Sequence, residues 1–166
     1  MASIKGWLLK NVKTWEGRDG IGLQASIYYH GRKVGQFTDY GDGSEPDLDI
    51  ANKEIRDILK ADTKSYFEEH PLQDYIKAGL TPDEDEFINE LTLLMDYEKF
   101  YKKELQKGKN VIAVVEHNEG TSLFSLSGAG TMSVPKFLKL YKNTYHKDLD
   151  SKTITFYTCL EDFNIQ

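Results

Sequence analysis

Thr81-Pro82-Asp83-Glu84-Asp85-Glu86-Phe87-Ile88-Asn89-Glu90-Leu91-Thr92-Leu93-Leu94-Met95-Asp96-Tyr97-Glu98-Lys99-Phe100-Tyr101-Lys102-Lys103-Glu104-Leu105-Gln106-Lys107-Gly108 is the stretch on which the fold turns. Phe87, Leu91, Leu94, Tyr101 and Leu105 recur at helical spacing, and Ile88 and Met95 widen the stripe. Thr81 is expected to cap the helix with its hydroxyl, Pro82 to take the first helical position, and Glu84 to complete a capping box. The acidic run Asp83 to Glu86 lies at the positive end of the helix dipole. Lys102, Lys103 and Lys107 lie near the negative end, with Gly108 as a left-handed terminator. At ~1.5 Å per residue this helix is roughly 40 Å long.

Toward the N-terminus, residues 4–40 read as a three-stranded antiparallel unit. Trp7 to Val12 forms the first strand, Glu16-Gly17-Arg18-Asp19-Gly20 a turn, and Leu23 to Tyr29 the second strand, with Leu23, Ala25 and Ile27 alternating. His30-Gly31-Arg32-Lys33 is a hairpin loop and Val34 to Asp39 the third strand. An acidic loop, Tyr40 to Asp49, follows. Ile50 to about Lys60 and Asp62 to Glu69 read as two helices, and Leu72 to Gly79 as a further helical turn. Toward the C-terminus, Asn110 to Glu116 is an apolar strand. His117 to Gly120 is a turn, and Thr121 to Ser127 is the hairpin partner. Ser133-Val134-Pro135 opens a helix carrying Phe137, Leu140, Tyr141 and Tyr145. Thr153 to Thr158 is a last strand. The expected fold is α+β: an antiparallel or mixed sheet, made of the N-terminal three-stranded unit plus C-terminal strands, packed on the long central helix and shorter ones. The expected organisation is one domain over residues 1–166, with an acidic helical insertion at about 45–108 and one sheet shared by both β units.

The chain has 166 residues and a net charge of −6, unevenly spread. Residues 1–35 carry +4, residues 36–100 carry −12 and residues 101–166 carry +2. An acidic middle is read either as solvated helix faces or as a surface that meets a basic partner. It disfavours direct nucleic-acid binding, which relies on Lys and Arg to neutralise phosphates. No apolar run approaches the ~20 residues a membrane span needs, and the first residues, Met1-Ala2-Ser3-Ile4-Lys5, lack a signal-peptide core. The single cysteine, Cys159, excludes an internal disulfide framework and cysteine-based zinc clusters. A cytoplasmic protein without membrane contact is the expectation.

Few constellations offer chemistry. Asp39, Asp42, Glu45, Asp47 and Asp49 are oxygen donors, but no glycine or bidentate glutamate falls where a calcium loop needs it. Capping of the next helix by Asp47 or Asp49 is one reading of that loop, and partner contact is another. Gly128, Gly130, Ser133 and Lys136 form a glycine turn before a helix, which could cradle an anion. Neither the phosphate-binding loop nor the dinucleotide spacing is completed there. Ser133-Val134-Pro135-Lys136 spells S-x-x-K without the companion motifs of acylating enzymes. The four histidines come singly, and Cys159 on the last strand reads as a small core residue. Glu86 and Glu90 read as a solvated face, and Asp96-Tyr97-Glu98-Lys99 lies in mid-helix, where a nuclease core is not built. Some of Trp15, Tyr28 and Tyr40 are expected to stay exposed, because three strands bury one face only. No catalytic residue, metal ligand or cofactor is assigned.

Three segments resemble the start of small accessory proteins encoded by bacteriophages and other mobile elements. They are Val12-Lys13-Thr14-Trp15-Glu16-Gly17-Arg18-Asp19-Gly20-Ile21-Gly22, Tyr28-Tyr29-His30-Gly31-Arg32-Lys33-Val34-Gly35 and Asp39-Tyr40-Gly41-Asp42-Gly43. The resemblance covers the first quarter of the chain and implies a setting rather than a reaction: an inhibitor, anti-CRISPR or other anti-defence protein that binds and blocks a host protein. The expected activity is therefore a non-enzymatic one. An acidic surface made of Asp39, Tyr40, Asp42, Glu45, Asp47 and Asp49 would bind a host protein with a basic surface, such as a nuclease. The alternative is a small-molecule or nucleotide binder, or sponge, using the Gly128 to Gly130 turn and the helix after it.

Overall fold

The computed structural model describes residues 1–117, 120–128, 132–146, 148–149, 151 and 153–166. In chain order the elements are β1 (Ser3–Ile4), β2 (Trp7–Glu16), β3 (Ile21–Tyr29), β4 (Arg32–Asp39), β5 (Asp47–Ile50), α1 (Lys53–Glu69), α2 (Gln73–Ala78), α3 (Glu84–Leu105), β6 (Val111–His117), β7 (Gly120–Leu126), α4 (Val134–Tyr145), β8 (Thr153–Tyr157), a 3-10 turn (Leu160–Phe163) and β9 (Asn164–Ile165). The fold is α+β, with antiparallel pairing everywhere except β1 beside β9. The strands form two sheets rather than the single expected one, in the orders β5-β4-β3-β2-β1-β9 and β7-β6-β8. Cα packing divides the chain into two compact units, Met1–Met95 with Asn164–Gln166, and Asp96–Phe163.

The first unit is built on alternation. Trp7 and Leu9 stand on the same face as Leu23, Ala25, Ile27, Phe37 and Ile50, all buried. The Trp7 indole N–H donates to Asp62 Oδ2 at 2.8 Å, which ties β2 to α1 and satisfies a buried polar edge. Along α1, Leu59, Thr63, Tyr66 and Phe67 are buried. Tyr66 meets Phe87 edge-on, with ring centroids 5.6 Å apart. A bulge in β2 between Lys10 and Lys13, with Asn11 at φ 54°, keeps both lysines on the opposite, solvent face, opposite Ser26 and Gln24.

The two helices expected over 50–69 are one continuous helix. Its cap is Asn52, whose side chain accepts from the Glu54 N–H at 2.7 Å, not Asp47 or Asp49. Those two aspartates belong to β5, because Leu48 and Ile50 alternate with them and turn inward beside Phe37 and Gly35. For α3, Phe87, Ile88, Leu91, Leu94 and Tyr101 are buried as the stripe requires, whereas Leu105 is 45% exposed. The helix starts later than expected. Asp83, rather than Thr81, supplies the cap: its Oδ1 accepts from the N–H groups of Asp85 and Glu86, both at 3.2 Å. Past the other end, Gly108 adopts φ 77° and closes the last turn with an N–H bond to Leu105 O.

In the second unit the core is Val111, Ala113, Val115, Met132 and Phe137, with Phe124, Leu126, Leu149, Ile154 and Phe156 against it. Phe137 is the one buried residue of α4 and meets Phe124 and Phe156 edge-on. Leu140 and Tyr145, expected on its apolar face, are exposed. Tyr101 donates to Thr158 O at 2.7 Å and lies against Phe163, which stacks on Tyr157.

Candidate functional site

The acidic stretch after β4 is two structures in succession. Its first part, Asp39 to Ser44, is held against the turn between β2 and β3. Gly41 sits at φ 64°, and a Cβ there would press on Gly22 N and Ile21 C. Gly17 approaches from the other side so closely that a Cβ would collide with Gly41 O. Asp19 N–H donates to Gly41 O at 2.8 Å, and the Arg18 guanidinium donates to Asp42 O at 2.8 Å. The segments around Gly17 and around Gly41 are therefore one packed unit.

The carboxylates in this part serve the backbone. Asp39 Oδ1 accepts from Gly41 N–H at 2.8 Å, and Asp39 pairs with Leu23, which puts it on the buried side of the sheet. Asp42 Oδ1 accepts from Ser44 Oγ at 2.6 Å and from Ser44 N–H at 3.1 Å. Those two bonds, followed by the nearby Arg18 charge, hold the Asp42 carboxyl below its ordinary value.

The second part, β5, is an edge strand with its charges turned outward. The register aligns Thr38 with Asp47 and Gln36 with Asp49, and Gln24 lies across from Thr38 on β3. With Tyr40, these side chains line an open depression of about 320 Å³ on the solvent face of the sheet. Tyr40 is 46% exposed and donates its hydroxyl to Asp47 Oδ2 at 2.8 Å. That bond, and then the Asp47 charge, push the phenol above its ordinary pKa, so it stays a donor at neutral pH. Among the described residues, Asp47 and Asp49 have no ion pair with Lys or Arg. Thr38 is 9% exposed, and its hydroxyl has no partner among the described residues.

The six residues expected to act together are thus separated by the strand register. Tyr40, Asp47 and Asp49 meet at the depression, while Asp39 and Asp42 hold the loop. Glu45 is exposed and, with Asp39, acts electrostatically on Asp85 at the start of α3. Burial, then the charges of Asp83, Glu84, Glu45 and Asp39, raise Asp85 from 3.8 to about 6. Gln24, Gln36 and Thr38 escaped the sequence reading. The alternation of Gln36 and Thr38 around Phe37 was a signal for one shared face, but the pairing with β5 was not. Trp15 is 38% exposed and Tyr28 half-buried under Lys10, whose ammonium lies 4.5 Å from the ring centroid.

Other candidates have local structural roles. Gly128 exchanges two hydrogen bonds with the Asn110 side chain, its N–H donating to Oδ1 at 3.0 Å and its carbonyl accepting from Nδ2 at 2.7 Å. Gly130 lies outside the described residues. Ser133 takes the N-cap backbone position of α4, without a side-chain capping bond, and Lys136 is exposed. Glu86 and Glu90 are not a purely solvated face: Tyr75 donates to Glu86 at 3.0 Å and Tyr66 to Glu90 at 3.3 Å. Asp96 pairs with Lys99 and Glu98 with Lys102 along α3. His117 closes the end of β6 with Nε2 3.1 Å from Ser122 Oγ, and the turn residues Asn118 and Glu119 lie outside the described residues.

Cys159 stands beyond β8 rather than on it. Asp162 Oδ2 gathers the Thr158 N–H, the Thr158 hydroxyl and the Cys159 N–H, which ends the strand. The Cys159 thiol donates to Asp162 Oδ1 at 3.2 Å, and this bond raises its pKa, the opposite of what a nucleophile needs. Among the described residues no group of three or more His, Cys, Asp or Glu is arranged to hold a metal ion. No helix among them is long and apolar enough to cross a membrane. No family model, curated protein or solved structure matches the chain.

Proposed function

We propose that this chain is a non-enzymatic binding protein that takes a basic host protein on the acidic edge of its N-terminal sheet. The setting implied by its first quarter is that of a phage-encoded inhibitor blocking a defence protein such as a nuclease. The observation that carries this reading is the depression beside β5. There, Tyr40, Asp47 and Asp49 face solvent together, and among the described residues neither carboxylate is paired with a base. A half-exposed tyrosine is a typical contact residue, and the carboxylates beside it set which charge a partner must bring. The acidic middle of the chain adds a long-range field that would speed association with a basic partner and make it sensitive to salt.

The test is capture from bacterial lysate on the immobilised full chain, at low and at high salt, beside the variant Tyr40→Ala/Asp47→Ala/Asp49→Ala. The expected result is a basic protein kept at low salt and shed at high salt, with retention on the variant down by about tenfold or more. A partner kept equally by the variant, or held independently of salt, overturns the reading.

A further inference from the structure

The hydrogen-bonding capacity around the β5 depression is lopsided. Among the described residues, Asp49 contributes two uncommitted carboxylate oxygens, and Asp47 a second oxygen beside the one that takes the Tyr40 hydroxyl. Gln24 and Gln36 contribute side-chain amides with no partner among the described residues, each a carbonyl acceptor beside an NH2 donor, so the excess of acceptors comes from the two aspartates. Thr38 lines the same depression while more than nine-tenths buried, and its hydroxyl is also unspent. The hydroxyl opens into the depression, where a bound donor or acceptor can meet it. The acceptors are not at one point. Asp47 and Asp49 stand two residues apart on one strand, roughly 7 Å along it. The amides of Gln24 and Gln36 come from the two strands beyond.

The shape of this arrangement selects among cations. An ammonium is a compact point with three donors. A guanidinium is flat, carries five N–H donors in a fixed fork, and stacks on aromatic rings. Spread acceptors on two sides and a half-exposed tyrosine ring at the mouth match the fork and its flat face. From this we infer that the depression lined by Gln24, Gln36, Thr38, Tyr40, Asp47 and Asp49 takes the guanidinium of an arginine side chain presented by the partner. The inference rests on the reading above that this face binds a basic protein, and it names the group recognised. Asp47 and Asp49 bind the two sides of the fork, the Gln24 and Gln36 carbonyls take the remaining N–H groups, and Thr38 closes the floor. Tyr40, tethered by its own bond to Asp47, covers the flat face.

The test uses the full chain labelled with nitrogen-15 and two probes, N-acetyl-arginine-N-methylamide and N-acetyl-lysine-N-methylamide. The side-chain amide signals of Gln24 and Gln36 are expected to move with the arginine probe, which should bind about tenfold more tightly than the lysine probe. Thr38→Val, which keeps the β-branched shape, and Asp49→Asn should each weaken the arginine probe severalfold with the remaining spectrum unchanged. Equal response to both probes, shifts confined to other parts of the chain, or full binding by Asp49→Asn would overturn the inference. A partner lost with the triple variant but indifferent to arginine over lysine defeats the guanidinium assignment alone. A partner retained by the triple variant defeats the underlying reading.

Discussion

Asp42 and Asp49 stand in one acidic stretch, and by residue type they look interchangeable. Asp42 is spent on its own loop: it accepts two bonds from Ser44, and Arg18 lies alongside. Asp49 is spent on nothing among the described residues, although its backbone is locked into a sheet. The difference lies in the chain beneath them. Around Asp42 the backbone turns through left-handed positions, and its amides need acceptors that a neighbouring carboxylate can supply. Around Asp49 the amides are paired with β4, so the side chain has no local donor to serve. A carboxylate in a tight turn becomes structure, and a carboxylate on a strand remains available.

That contrast can be broken most sharply at the turn itself. Gly41→Ala places a Cβ against Gly22 and Ile21 at a positive φ, and should cost about 3 kcal/mol of unfolding free energy by denaturant titration. A cost near zero would mean the two turns are not packed as described. Asp42→Ala should lower the denaturation midpoint by less than Gly41→Ala does. The sign follows from the lowered carboxyl pKa: the stability that Asp42 contributes is present above the ordinary carboxylate range and is lost as pH falls through the lowered value. Wild type and Asp42→Ala should therefore converge in strong acid.

Asp85 tests the acidic stretch from the opposite direction. Its carboxyl is raised from 3.8 to about 6, so the folded state holds a proton that the unfolded state has released between those values. Stability contributed by this group therefore falls as pH rises from about 4 to 6, and stays lower above that. Asp85→Asn should be the more stable protein at pH 7, by less than about 1 kcal/mol once solvent screening is allowed for, with the gain fading toward pH 4. A melting-temperature series across that range checks it. The smallest effect on stability is expected at the edge strand: Asp49→Ala should shift unfolding by no more than about 0.5 kcal/mol while weakening partner capture. Loss of stability comparable to that of Asp42→Ala would erase the distinction between the two aspartates.

Much of this fold is legible in the sequence. The hairpin glycines Gly17, Gly20 and Gly31 read as turns and lie between strands, and the alternation at Leu23-Ala25-Ile27 and the apolar run Val111 to Val115 read as strands and lie in β3 and β6. That some of Trp15, Tyr28 and Tyr40 stay exposed follows from a sheet with one buried face; which ones, Tyr40 and Trp15, is decided by the fold. The acidic site was legible only as a stretch. Aspartate is a poor strand former, so Asp47-Leu48-Asp49 reads as loop and Ile50 as the start of a helix, although Leu48 and Ile50 carry the alternation of a strand. The tyrosine bonds to Glu86 and Glu90 were hidden for a related reason: their donors, Tyr75 and Tyr66, come from other helices.

The sequence by itself determined the elements whose causes lie within a few residues. The stripe and terminator of α3, the turns of the hairpins and the start of α4 at Ser133 all depend on periodicity and on backbone preferences read over one or two turns of chain. Tertiary structure alone decided which strands are neighbours. Ser3 and Ile4 find Asn164 and Ile165 across nearly the whole chain, β5 finds β4, and the β strands separate into two sheets. Strand pairing satisfies backbone groups that are alike in every residue, so nothing local names the partner. Only the burial of a whole face against its helices selects one register, and that register brings Tyr40, Asp47 and Asp49 together while leaving Asp39 and Asp42 to hold the turn.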